Sequence, residues 1–325
     1  MIVLSLGMMS LAFIIATVAG IFVIPFLHQL KFGQEIREEG PAWHKSKSGT
    51  PTMGGFIFMI AMVLGVLFAY FVLPLMGIVI KADIFILLVG ALGFGLVGFL
   101  DDYIKVILKR NLGLKAAQKF SLQIIVSLLV SVWLVAGGFV DTSIIVPFAK
   151  GLSVNLGWFY IPFIIIVMLA TVNSVNLTDG LDGLATSITV IVSICYMLIA
   201  RRVDSGVVAV FASLLAGGLL GFLLYNAHPA KVFMGDTGSL FLGGAVSVMA
   251  IYMRMPITLL IIGFVYVCES LSVIIQVGSF KLTGKRVFKM SPIHHHFEMC
   301  GWGERRIVAV FSLATAIVCL LGYLS

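Results

Sequence analysis

The chain has 325 residues, of which 61% are hydrophobic and only 11% charged, and its mean hydropathy is +1.16. This composition excludes a soluble globular domain and a disordered chain and points to an integral membrane protein. The formal charge of +7 is concentrated in particular loops, so it gives no reason to invoke nucleic acid.

Crossing the hydrocarbon core takes about 20 apolar residues in a helix. Runs of that order recur at roughly 3–27, 53–74, 83–100, 120–138, 158–174, 185–200, 206–225, 238–253, 257–276 and 307–324. The expected fold is therefore all-α, with about ten transmembrane helices in a single polytopic domain over 1–325. Helices satisfy their own backbone inside lipid, and the alternation of a membrane β-barrel is absent. The first run has no basic leader and no Ala-x-Ala site, so it reads as a helix and not as a cleavable signal. Of the 21 Lys and Arg, all but Lys81, Lys150, Arg201, Arg202 and Arg254 fall in loops after odd-numbered spans. Those loops should be cytoplasmic and both termini extracytoplasmic. Cys195, Cys268, Cys300 and Cys319 form no CxxC pair and suggest neither a disulfide framework nor a zinc site.

The polar punctuation between spans carries the chemistry. Gly49-Thr-Pro-Thr52-Met-Gly-Gly55 precedes the second span, with His44, Lys45 and Lys47 upstream. It suits a phosphate contact, or simply a proline-glycine entry into a helix. Asp101-Asp102 end the third span at a helix C-terminus, where the dipole disfavours negative charge. The plain alternative is a solvated end with Lys105 as partner one turn on. In Asn173-Ser-Val-Asn176-Leu-Thr-Asp179-Gly-Leu-Asp182-Gly183, two amides and two acids share a short turn. Its glycines permit unusual backbone angles, although Asp182 alone would serve as a helix cap. Phe233-Met-Gly-Asp236-Thr-Gly-Ser239 opens the eighth span. Asp236 there is a cap, or sits where free N–H groups attract anions, and Asn226 faces the same loop. Phe233 is a stacking partner for a base or an ordinary edge aromatic.

His294-His295-His296 follow Ser291-Pro292; in an extended segment His294 and His296 would share a side. Metal binding, phosphate contact and proton transfer are all open to imidazole. The mixed basic and apolar segment Lys281–Lys289 suits the anionic surface of membrane lipids or is ordinary loop bias. Gly93-Phe-Gly-Leu-Val-Gly98 fits a dinucleotide pattern but lies within a span, where helix packing explains it. Gly284-Lys285 lacks the P-loop spacing, and Asn176-Leu-Thr178 is a sequon on the cytoplasmic side.

Five aspartates thus gather on one face without obvious partner cations nearby in sequence. Such a set suits Mg²⁺, which prefers oxygen ligands and is often shared with phosphates. At headgroup depth, this favours phosphoryl transfer between a soluble phosphate donor and a lipid phosphate.

Asp101-Asp102-Tyr103, Asn173 to Gly183, Met234 to Ser239 and Ser291 to Phe297 resemble the signatures of the polyprenyl-phosphate hexosamine-1-phosphate transferases. The resemblance spans the whole chain. Gly49 to Gly55 and the triple histidine resemble the branch whose donor is UDP-N-acetylmuramoyl-pentapeptide. The resemblance implies transfer of its phospho-sugar to undecaprenyl phosphate, yielding lipid I and UMP, with Mg²⁺ as cofactor. It implies a multi-pass protein of the bacterial cytoplasmic membrane, commonly a homodimer, acting in peptidoglycan synthesis. It assigns a catalytic set of Asp101, Asp102, Asp236 and His294, with Asp236 as metal ligand. Lys47, Thr52, Lys119, Asn176, Asp179, Asp182, Asn226, Phe233, His295 and His296 map to the substrate cleft. Direct displacement by the lipid phosphate, with Asp101 or Asp102 as base, competes with a covalent aspartyl route. The alternatives are a sister transferase using UDP-N-acetylglucosamine and, in another class, a transporter or flippase for an anionic solute or lipid. Against transport, the acids lie at one face and not at mid-depth; Glu269, within the ninth span, is the exception.

Overall fold

The computed structural model describes residues 2–30, 49–106, 113–149 and 151–325. Twelve helices are present among them: α1 (Ile2–Gln29), α2 (Gly55–Phe71), α3 (Ile84–Val106), α4 (Ala116–Ala136), α5 (Tyr160–Thr178), α6 (Leu184–Arg202), α7 (Gly206–Asn226), α8 (Gly235–Tyr252), α9 (Pro256–Ile262), α10 (Phe264–Thr283), α11 (Ile293–Glu298) and α12 (Glu304–Leu324). A short antiparallel hairpin, β1 (Ser143–Ile145) with β2 (Ser153–Asn155), pairs Ile144 with Val154. Eight helices, counting α5 from Gly157, are long and apolar enough to cross a membrane, and α2 is a shorter apolar helix. The chain is thus a multi-pass, all-helical membrane protein.

The predicted spans correspond to helices with one internal difference. The ninth run, expected to be continuous over 257–276, is broken at Gly263 between α9 and α10, and α10 runs on to Thr283. A Cβ at Gly263 would lie 2.8 Å from the Leu259 carbonyl oxygen and 3.2 Å from Tyr266. Only glycine fits that bend.

α7 and α8 form the centre of the bundle. Nearly every α7 and α8 residue is buried, as expected for helices apolar on all sides. α3 and α5 pack on α8, while α1 and α6 pack on α7. α1, α4, α10 and α12 are buried on one stripe only, leaving apolar faces for lipid. Buried hydroxyls inside the helices, among them Ser127, Thr189, Ser193 and Ser213, donate to the carbonyl four residues back. That bond satisfies them without a second helix.

The α3–α8 contact sets the site. A Cβ on Gly98 would lie 2.0 Å from the Asp236 carbonyl oxygen, and one on Gly244 would meet Phe94 at 2.7 Å. The glycines of the 93–98 pattern therefore serve helix packing: Gly95 lies against Phe241 and Met59, and Gly93 against Val126.

Candidate active site

Four helix ends meet at one end of the bundle: the C-termini of α3 and α5 and the N-termini of α4 and α8. Asp102 is 3% exposed. Its carboxylate accepts the backbone N–H of Thr237 at 2.8 Å, the Thr237 hydroxyl at 2.7 Å and the backbone N–H of Asp236 at 3.2 Å. The α3 dipole disfavours this carboxylate, but the N-terminus of α8 stabilises it. Asp102 thus caps α8 from a neighbouring helix, and Asp236 does not cap its own. Gly235, at φ +74°, makes the approach possible: a Cβ there would lie 2.6 Å from Asp102 Oδ2 and 2.8 Å from Thr52 Oγ1.

Asp236 stands one residue further on. Asn176 of α5 donates to its Oδ1 at 2.7 Å and to Ser239 Oγ at 2.8 Å. Lys105 Nζ lies 2.6 Å from both Asp236 Oδ2 and Asp101 Oδ2. Lys119 Nζ lies 2.9 Å from Asp236 and 3.5 Å from Asp101. Asp101 Oδ1 also accepts the Leu114 N–H at 2.7 Å. The partner cations of Asp236, not obvious in sequence, come from 131 and 117 positions away. Lys105 is more than the local partner of Asp101: it bridges to a residue 131 positions away. Beside Lys119 opens a cavity of roughly 450 Å³ lined by Ala116, Phe120, Gln123 and Asn173, where Asn173 donates to Gln123 at 2.8 Å.

The other expected residues are distributed around this cluster. The 51–54 segment is bonded to the loop before α8, with Phe233 N–H donating to Pro51 and Gly54 N–H to Phe233, both at 2.8 Å. That backbone pairing places Thr52 and half-buried Phe233 side by side. Asn226 is buried, accepting from Thr186 at 2.7 Å and donating to the Val232 carbonyl at 3.0 Å; both bonds hold the loop leading to Asp236. Asp179 follows α5 and is partly exposed. Desolvation, then the charges of Asp236, Asp102 and Asp182, push its carboxyl up to about 8. Asp182 faces another way. It accepts His228 Nδ1 and the Ala230 N–H, both at 3.0 Å, and Glu304 lies 3.5 Å from the same imidazole nitrogen. Lys47 lies outside the described residues.

The three histidines lie on α11 and not in an extended segment. Successive helical positions point about 100° apart: the His294 and His295 rings stay neighbours, 4.1 Å between centroids, while His296 turns to Phe288. His294 is fully buried and its Nδ1 lies 3.0 Å from Glu269 Oε2. His295 pairs with Glu298 at 2.5 Å, and His296 Nδ1 accepts the Lys289 N–H at 3.2 Å. A Cβ at Gly180 would lie 2.2 Å from His294 Nε2, so α11 is seated against the Asp179–Asp182 turn.

The donor set fits a hard divalent cation. Three carboxylates from α3 and α8 converge, all with oxygen donors. The Lys105 ammonium already stands between Asp101 and Asp236, so positive charge is accommodated there. Burial, then the charges of Asp236, Asp102 and Asp182, raise the Asp179 carboxyl, so added positive charge would be favourable there. Asp236 and Asp101 would supply ligands; Asp102 spends its lone pairs on α8. Sequence reading undervalued Lys105, Thr237 and Ser239. The i,i+4 spacing of Asp101 and Lys105 was the only local signal.

Residues 84–254 match glycosyl transferase family 4. The chain is 52% identical to a phospho-N-acetylmuramoyl-pentapeptide-transferase of Clostridium novyi over 97% of this chain and 94% of that protein. It is 52% identical to one of Clostridium beijerinckii, covering 98% and 96%, and 50% identical to one of Caldanaerobacter subterraneus, covering 97% and 96%. Identity at this level over nearly the whole of both chains means that the chain belongs to the phospho-N-acetylmuramoyl-pentapeptide-transferase family within glycosyl transferase family 4.

Proposed function

We propose that the protein transfers phospho-N-acetylmuramoyl-pentapeptide from its UDP-linked donor to undecaprenyl phosphate, giving lipid I and UMP for peptidoglycan synthesis. The observation that carries this reading is the junction of Asp101, Asp236, Lys105, Lys119 and Asn176 at one end of the bundle. Two ammonium groups and an amide are arranged to meet phosphate oxygens, and the carboxylates are arranged to hold Mg²⁺ or accept a proton.

The residues divide the work by what they touch. Lys105 and Lys119 bind the two anionic reactants and offset their repulsion. Asn176 and Asp102 hold Asp236 and the first turn of α8 in place. Asp101 is the better base for the lipid phosphate, because Asp102 is committed to capping α8. Mg²⁺, when bound at Asp236, supplies charge stabilisation for the leaving UMP. Phe233, beside Thr52, offers a face for the uracil. Asp179, Asp182, His295 and His296 are assigned to the donor side, with His294 behind them; Lys47 is assigned to donor binding on the family resemblance alone. The lipid phosphate attacks the β-phosphorus directly in this scheme.

Further parts of the reading rest on the basic loops and on the family. Ten crossings arise if α9 continues into α10, with both termini outside and the site facing the cytoplasm of a bacterial inner membrane. The functional unit is a homodimer in the lipid bilayer. The test is direct: incubate the purified protein with undecaprenyl phosphate, Mg²⁺ and each UDP-sugar in turn, and follow UMP. Release only with the muramoyl-pentapeptide donor is the expected result. Release with UDP-N-acetylglucosamine instead moves the protein to the sister specificity, and no release with either refutes the transferase reading.

A further inference from the structure

Glu269 lies in α10 and is fully buried, as is His294 of α11. They are each other's bonded side-chain partners, with Glu269 Oε2 3.0 Å from His294 Nδ1. Their second polar atoms, Glu269 Oε1 and His294 Nε2, are buried and have no hydrogen-bond partner among the described residues. An acid within an apolar helix is costly, and a buried polar atom without a partner adds its own desolvation cost. Two orphans in one pair therefore require a reason beyond packing. A well-packed apolar pair would fill the same space at lower cost.

The contact at Gly180 supplies the direction. An added Cβ there would sit 2.2 Å from His294 Nε2 and 2.6 Å from Cε1. The free edge of the imidazole therefore rests on the glycine of the turn that carries Asp179 and Asp182. Nε2 has no hydrogen-bond partner there among the described residues, so a hydrogen on it would be a buried donor without an acceptor. With its proton on Nδ1, the ring donates to Glu269 and leaves Nε2 as an acceptor facing the turn. A carboxylate that fixes a histidine tautomer in this way is a recurrent device in sites where imidazole works.

We infer that Glu269 is a positioning residue for the transfer reaction: it holds His294 in the Nδ1–H tautomer, with a bare Nε2 directed at the Asp179–Asp182 turn. This rests on the reading that His294 belongs to the transfer site. Glu269 touches no reactant; it acts through His294.

Full-length protein in lipid nanodiscs tests the inference through UMP release and histidine side-chain ¹⁵N spectra. Outer-shell partners of functional histidines typically change function about 10–100-fold when replaced. Glu269→Gln is expected to lower kcat by at least about tenfold, with KM for the UDP-linked donor within about twofold. Combined with His294→Gln, it is expected to add less than about twofold to the loss already caused by that change. In the wild type the ¹⁵N resonance that His294→Gln removes should show an unprotonated Nε2. In Glu269→Gln it should shift towards a mixture of tautomers.

Should Glu269→Gln fail to fold, Glu269→Met, an apolar replacement of similar volume, carries the same expectations. Turnover per folded enzyme within about twofold of wild type in the folded variant would overturn the inference, as would a protonated wild-type Nε2. Full additivity with His294→Gln would overturn it too. A normal Glu269 variant beside an inactive His294→Gln sinks the pairing alone. Normal turnover by His294→Gln removes His294 from the transfer site and takes this inference with it.

Discussion

The two ends of the bundle use similar contacts for different ends. At one, Arg254 and Asp141 meet at 2.7 Å with side chains 41% and 57% exposed, and Arg254 also anchors the hairpin through its carbonyl, which accepts the Ile145 N–H at 2.8 Å. At the other, Lys105 and Lys119 meet Asp101 and Asp236 at 2.6–3.5 Å, with Asp101 only 3% exposed. Similar distances do not mean equal consequences. Solvent screens the exposed pair, so it contributes little. In the buried cluster the dielectric is lower, several charges share partners, and losing one leaves the others uncompensated. Under the proposed function, charge held together in that way serves to gather anionic reactants.

The comparison can be broken most sharply at Asp236. Asp236→Asn keeps the shape and removes the charge shared by both lysines. UMP release should fall about 10³-fold, the scale of losing a preorganised electrostatic group, while the purified protein stays folded and monodisperse. Near-normal release would detach the cluster from the chemistry.

Next in size is Gly98→Ala, which tests whether the cluster depends on the close α3–α8 contact. The added methyl would strike the Asp236 carbonyl oxygen, and overpacking of this kind costs about 1–3 kcal/mol. A lower unfolding temperature is expected; an unchanged one would mean that the helices are not in this contact.

Asp179 gives a smaller effect that depends on pH. Its carboxyl is raised to about 8 in the folded protein, above the ordinary value of about 4 in an unfolded chain. The folded state therefore holds this proton more tightly. The stability it contributes is full below about pH 4 and is lost as pH rises through about 8. In metal-free protein the unfolding temperature should decline over that window, and Asp179→Asn should flatten the decline. An identical slope in the variant would rule out Asp179 as its source.

The smallest effect belongs to the exposed end. Arg254→Ala should cost about 1 kcal/mol or less and leave UMP release within about twofold. A large loss of turnover would mean that the two ends are coupled.

Much of the site was legible in sequence because scarce polar residues in an apolar chain must sit where they can be used. Asp101, Asp102, Asp179 and Asp236 each punctuate a span, and their loops fall on one face. The lysine bridges to Asp236 were not legible, since Lys105 and Lys119 reach it across 131 and 117 positions. The arrangement of the histidines was not legible, because the six residues of α11 are too few to show a helical period. The capping of α8 by Asp102 left no local signal, as its partners come from another helix.

Apolar run lengths, the side on which basic residues collect and the family signatures were thus decided by the sequence alone, because lipid solvation acts on each segment independently of its neighbours. Which acid serves the backbone, which faces a lysine and which imidazole edge stays bare were decided only when α3, α5, α8, α10 and α11 packed together. Hydrogen bonds and charge pairing act over a few ångströms, and only the packed bundle brings those groups within that range.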